Sequence, residues 1–182
     1  MKRILSYALI LVLSIGVLFV TGCEEDPTKD FKNPKVITVS SDKGSVEVTY
    51  DDDGGYEIDE SGDEKILKNK DNNFRFSFEF VSDSIKDLKT RRDNFSKDSK
   101  YEVISDVEFR GNKGYVIIDK TYATAQVYLF LDESNDVAFL AKISDMSTSK
   151  TEEDIKSKGA KDAIYNTEKV QQILKTIKYI KK

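Results

Sequence analysis

Between residues 74 and 80 phenylalanine takes every second position, as Phe74, Phe76, Phe78 and Phe80, with Arg75, Ser77 and Glu79 between them. Successive side chains of a strand point to opposite faces, so this spacing puts four rings on one face and the polar residues on the other. A slip of one residue would bury an arginine and a glutamate. The register is therefore strongly specified. A strand with such a face needs a covered sheet, and the rest of the chain supplies the parts.

Ser82 or Ser84 is placed to cap a helix after this strand, with Asp87 completing a capping box from Ser84. Ile85, Leu88 and Phe95 fall on one helical stripe, and the helix is expected to end between Ser96 and Lys100. Upstream, Val36 to Ser40 reads as a strand and Ser41 to Gly44 as a turn. Val46, Val48 and Tyr50 alternate as a half-buried strand. Asp51-Asp52-Asp53-Gly54-Gly55 breaks it and Tyr56 to Asp59 resumes it, which predicts a hairpin with a glycine-bearing loop. A second polar loop is expected from Asp59 to Lys65.

Tyr101 to Ile143 predicts an antiparallel meander with turns at Gly111 to Gly114, Asp119 to Thr124 and Asp132 to Asp136. Val127 to Leu131 is apolar on both faces, as an inner strand covered on each side should be. Asp145 to Asn166 reads as a long polar loop with a weak helix from Thr151. Thr167 then caps a final helix with the stripe Val170, Ile173, Leu174, Ile177 and Ile180. Lys178, Lys181 and Lys182 suit its C-terminal dipole. The expected fold is α+β: one antiparallel sheet, made of an N-terminal hairpin, the Phe-rich strand and a four-strand meander, covered by two helices. It forms a single domain over residues 36–182.

The start of the chain has another character. Met1-Lys2-Arg3 is positive, and the uncharged apolar run Ile4 to Val20 is shorter than the roughly 20 residues that span a membrane. Thr21 and Gly22 then precede Cys23, the one cysteine in the chain. Val20-Thr21-Gly22-Cys23 resembles a bacterial lipobox. The resemblance implies that residues 1–22 are a signal peptide and that the Cys23 thiol carries lipid. Cleavage removes Lys2 and Arg3 and no acid, so the mature chain is more acidic than the −4 of the whole. That balance argues against nucleic acid and against a polybasic grip on lipid. Two acyl chains suffice for stable anchoring.

Residues 23–35 read as a lipid-anchored tether, since Glu24 to Lys35 holds both prolines and has no apolar period. That length reaches about 40 Å extended and averages about 20 Å as a coil. The domain is expected to sit near the bilayer, facing outside the cytoplasm, and to turn freely.

No histidine occurs anywhere in the chain. Histidine general bases, Ser-His and Cys-His nucleophiles and thiol or imidazole zinc sites are excluded, and no cofactor is expected. Ser40-Ser41-Asp42-Lys43 and Ser147-Thr148-Ser149-Lys150 fit S-x-x-K, but the companion K-T-G and S-D-N motifs are absent, so both read as turns. An EF-hand loop laid over Thr49 to Glu60 puts Asp51 third, Asp53 fifth, Gly54 sixth and Glu60 twelfth. Thr49 stands first in place of an acid and the flanks are strands. A plain turn is the preferred reading and no metal is assigned.

From the Phe-rich strand onward, the order of strand, helix, meander and closing helix resembles PsbP-like domains, which several bacterial lipoproteins carry. The resemblance implies a role in binding partners or in assembly. The leading expectation is a non-catalytic lipoprotein, held to the membrane through Cys23 and able to engage an envelope protein. The alternative is a small hydrolase acting on envelope material through paired carboxylates.

Overall fold

The Phe-rich strand lies inside a seven-stranded sheet, and its alternation decides which layer covers which face. The computed structural model describes residues 26–60, 64–69, 74–145, 154 and 156–182. Among these, ten strands form two antiparallel sheets. The smaller joins β1 (Pro34–Ser40), β2 (Gly44–Asp51) and β10 (Lys178–Lys181) in the order β1-β2-β10. The larger holds β3 (Tyr56–Asp59), β4 (Lys65–Asn69), β5 (Phe74–Val81), β6 (Tyr101–Phe109), β7 (Asn112–Asp119), β8 (Thr124–Asp132) and β9 (Val137–Asp145). Its order is β3-β4-β5-β9-β8-β7-β6. Among the described residues the helices α1 (Ile85–Phe95) and α2 (Glu168–Leu174) complete an α+β fold, and residues 154, 156–158 and 160 are also helical.

The expected register of β5 holds. Phe76 and Phe78 are fully buried and stacked, and they lie opposite Ile143 and Ala141 of β9. With Val127, Leu129 and Phe139 they form one core against Val46 and Val48 of the small sheet and Val170, Ile173 and Leu174 of α2. The opposite face of the meander, through Tyr115, Ile117, Tyr128 and Leu140, is covered by Ile85 and Leu88 of α1. Val127, Tyr128 and Leu129 are all buried, as an inner strand requires. Tyr115 sits under α1 and donates its hydroxyl to the Leu88 carbonyl at 2.9 Å, since a buried phenol needs a partner.

Ser84, not Ser82, caps α1. Its Oγ accepts the Asp87 N–H at 3.2 Å and donates to the Asp87 carboxylate at 2.6 Å. The first meander turn is Arg110-Gly111, with positive φ at both residues, and β7 begins at Asn112. Gly114, expected in that turn, lies inside β7. A Cβ there would collide with the Tyr128 carbonyl, so the close approach of β8 admits no side chain.

Several expectations need correction. β2 and β3 do not form a hairpin: β2 pairs with β1 and β10, whereas β3 pairs with β4 in the other sheet. The acidic turn is therefore a crossing between sheets, and β4, which begins at Lys65 where the expected polar loop ends, is a strand that the sequence patterns do not show. The tether reading ended at Lys35, but β1 begins at Pro34 and pairs it with Asp51.

The final helix stops at Leu174 instead of running to Ile180. Lys178–Lys181 pairs with β2, and Ile180 is 39% exposed rather than buried on a helical stripe. The reason is tertiary. β2 has a second edge of unpaired backbone groups, and a strand satisfies them where a helix cannot.

The loop expected before α2 also contains order. Lys161–Tyr165 forms a π-helical turn with Ala163, Ile164 and Tyr165 buried. Thr167 is the N-cap residue of α2, as expected, and its carbonyl accepts the Gln171 N–H at 3.0 Å, but its hydroxyl makes no capping bond and donates instead to the Ile164 carbonyl at 3.4 Å. The helix expected to start at Thr151 begins outside the described residues.

Candidate functional site

Cys23 lies outside the described residues, as does the Ser147 to Lys150 match. The Ser40 to Lys43 match is the turn between β1 and β2. Lys43 Nζ donates to the Asn135 and Asp136 carbonyls at 3.1 and 3.4 Å. The Ser41 hydroxyl donates to the Gly44 carbonyl and accepts the Lys43 N–H. These bonds hold a turn and tie it to the β8–β9 connection.

The acidic turn has a definite geometry. Asp51 ends β2, and Asp52–Gly54 is a 3-10 turn closed by Gly55 in the left-handed region, at φ 71° and ψ 41°. Asp51 Oδ2 accepts the Lys32 N–H at 3.0 Å, and its Oδ1 accepts those of Asn33 and Asp53 at 2.9 and 3.3 Å. Donation by the Lys32 and Asn33 amides holds this carboxyl below the usual carboxylate range. Asp52 pairs with Lys35 at 2.5 Å, and its N–H donates to the Asn33 carbonyl at 2.9 Å.

Asp53 is exposed, and Glu60 stands past the end of β3, 3.9 Å from Lys65 Nζ. The oxygens of the EF-type overlay thus serve different partners. No group of three or more His, Cys, Asp or Glu among the described residues is arranged to hold a metal ion.

The segment that Asp51 holds leads into an open groove of about 850 Å³. One wall is the turn at Asp26 to Asp30, where Asp26 Oδ1 accepts the Thr28 N–H at 3.0 Å and its hydroxyl at 2.8 Å. Donation by Thr28, aided by the charge of Arg110, holds the Asp26 carboxyl below its usual range. A second wall is the end of β6, Val107 to Phe109, with the turn residue Arg110, and a third is Tyr165 with Glu168, Gln171 and Gln172 of α2 and Lys175 just past its end. Gln171 Nε2 donates to the Tyr165 carbonyl at 2.8 Å, fixing that corner. Burial pushes the Tyr165 phenol up from its usual range.

Lys29, Arg110 and Lys175 line this groove together with Asp26, Asp30, Glu108 and Glu168, and Pro27 and Val107 add apolar surface. Such a surface can bind a polar chain through mixed ion pairs and apolar contacts. Among the described residues, every buried side-chain nitrogen or oxygen has a hydrogen-bond partner. The sequence patterns do not reveal this groove because its walls come from three distant stretches. One local signal exists: Arg-Gly occupies a turn where Asn-Gly is the usual pair.

Two further polar clusters are structural in form. Asp132 accepts from Lys181, Ser134 and Asn135, which hold its carboxyl far below the usual range. Arg91 pairs with Asp83 at 2.6 Å beside the stacked rings of Tyr115 and Tyr128. No helix among the described residues is long and apolar enough to cross a membrane. No family model matches the chain, and no curated protein or solved structure matches it.

Proposed function

We propose that this chain is a membrane-anchored, extracytoplasmic lipoprotein with a non-catalytic binding or assembly role at the cell envelope, of PsbP-like kind. The observation that carries the reading is the position of the groove. One of its walls starts at Asp26, three residues after the cysteine that a lipobox would acylate. An envelope protein segment is the ligand that mixed charge and open shape favour.

The chemistry available supports binding over catalysis. The chain has no histidine, and its one cysteine is committed to lipid in this reading. A carboxylate hydrolase needs a general acid held above its ordinary range. Asp26, Asp51 and Asp132 are all displaced the other way, by hydrogen bonds that stabilise the charged form.

Two measurements test the reading. Cells fed a labelled fatty acid should label the wild-type chain and not Cys23→Ala; undiminished labelling of the variant ends the lipobox reading. A photocrosslinker at Gln172, on the groove, should give a discrete envelope adduct that Arg110→Glu removes, whereas one at exposed Tyr122 should not. Equal adducts from both positions would sink the groove as the binding surface.

A further inference from the structure

The sequence suggests a long, freely turning tether, yet its last residues, Lys32 to Lys35, are bonded to the body. Asp51 takes the Lys32 and Asn33 amides, Asp52 takes Lys35, and the Asn33 carbonyl accepts the Asp52 N–H. Upstream, Lys29 and Phe31 donate their N–H groups to the Asp26 and Thr28 carbonyls, so the chain turns tightly where it forms the groove wall.

We propose that the Asp51–Asp52 turn is a clasp that shortens the tether, so that lipid on Cys23 holds the Arg110 end of the molecule against the bilayer. The inference rests on the lipobox reading and adds an orientation to it. With the clasp closed and the Asp26 to Asp30 turn seated on the groove beside Arg110, the three steps from Cys23 to Asp26 reach about 10 Å. With it open, the chain is loose back to the start of β1 and reaches about 35 Å.

Arg110 lies on the groove with Asp26 and acts on its carboxyl. Tyr122 is at the far end of β7, about 25 Å along the strand. The surface offered to the lipid is then the groove rim, and a ligand would enter the groove at the membrane face. The rim carries both charge signs, so the covalent anchor rather than attraction to anionic lipid sets the orientation.

The test uses the full lipidated chain in phosphatidylcholine–phosphatidylglycerol vesicles that carry nitroxide-labelled lipid. A fluorophore is placed through Arg110→Cys or through Tyr122→Cys. Quenching should be several-fold stronger at 110 than at 122, and Asp51→Ala should bring the two close to equal. Equal quenching with the clasp intact, or an undiminished difference in Asp51→Ala, would overturn the proposal.

Inserting about eight Gly-Ser residues between Glu25 and Asp26 gives an independent check, since it lengthens the tether without touching Asp51. It too should equalise the positions, and a persisting difference counts against the proposal. A failure of the anchor reading looks different: the chain incorporates no fatty acid and does not float with the vesicles.

Discussion

Two acidic turns of this molecule are nearly the same device put to different uses. Asp51 and Asp132 each end a strand, each accept the N–H two residues on, and each start a 3-10 turn that closes with a left-handed residue. The closing residue is Gly55 in one and Asp136 in the other. The second turn joins neighbours, β8 and β9, and its aspartate holds β10 through Lys181. The first joins strands of different sheets, and its aspartate holds the N-terminal segment through two backbone amides. One turn secures the C-terminus by a charge pair at the surface, and the other secures the N-terminus by backbone bonds. A local motif therefore says how the chain turns but not what it ties down.

The largest expected effect comes from the layer on which both turns depend. Phe76→Ala or Phe78→Ala should each destabilise by about 3–5 kcal/mol, the usual range for emptying a buried phenylalanine site. Arg75→Ala, on the opposite face, should cost far less. Equal losses in urea melts would mean that the β5 face is not the support it is taken to be.

The first turn is next. Asp51→Ala removes a cap and the acceptor of two strap amides, at a cost of about 1–2 kcal/mol. It should raise hydrogen exchange at the Lys32 and Asn33 amides while leaving β10 protected. Gly55→Ala in the same turn should cost about 1 kcal/mol, because an L-residue resists the left-handed region. Uniform loss of protection at both termini would show that the turns are not independent fastenings.

The second turn should respond differently to salt and acid. Asp132→Ala is expected to expose the β10 amides, and salt should act in the same direction because the Lys181 pair lies at the surface. Strap amides held by Asp51 should change less with salt. Both carboxyls are depressed when folded, so each contribution is present above the unfolded value of about 3.9 and lost as pH falls below it. If salt at about 1 M, enough to screen surface pairs, opened both termini alike, the contrast between ion pair and backbone bonds would fail.

The smallest effect separates the first turn from a metal loop. Its Asp51 oxygens already accept three N–H groups, so calcium should leave the melting temperature unchanged. A true site of about 10 μM affinity would add about 2.7 kcal/mol at about 1 mM calcium. A calcium-dependent rise that vanishes in Glu60→Gln would overturn this.

Sequence alone determined the elements whose signal is local. The alternation of Phe74 to Phe80 specified β5 and its face, Ser82 or Ser84 with Asp87 located the start of α1 to within two residues, and the meander showed in its turns and alternating runs. Each depends on neighbours within a few residues, so periodicity and capping chemistry carry it. The histidine-free composition likewise bounds the chemistry, since no fold can supply an imidazole that the chain lacks.

Tertiary structure decided the rest. Ile177 and Ile180 continue a helical stripe in sequence, but the open edge of β2 draws Lys178–Lys181 into a strand. Asp51 to Gly55 has the residues of a hairpin loop, and only the existence of two sheets makes it a crossing. The groove joins Asp26, Arg110 and Lys175, which no local pattern relates. In each case the deciding free energy is the pairing or burial of groups far apart in the chain, and a partner's edge or face exists only once the fold has formed.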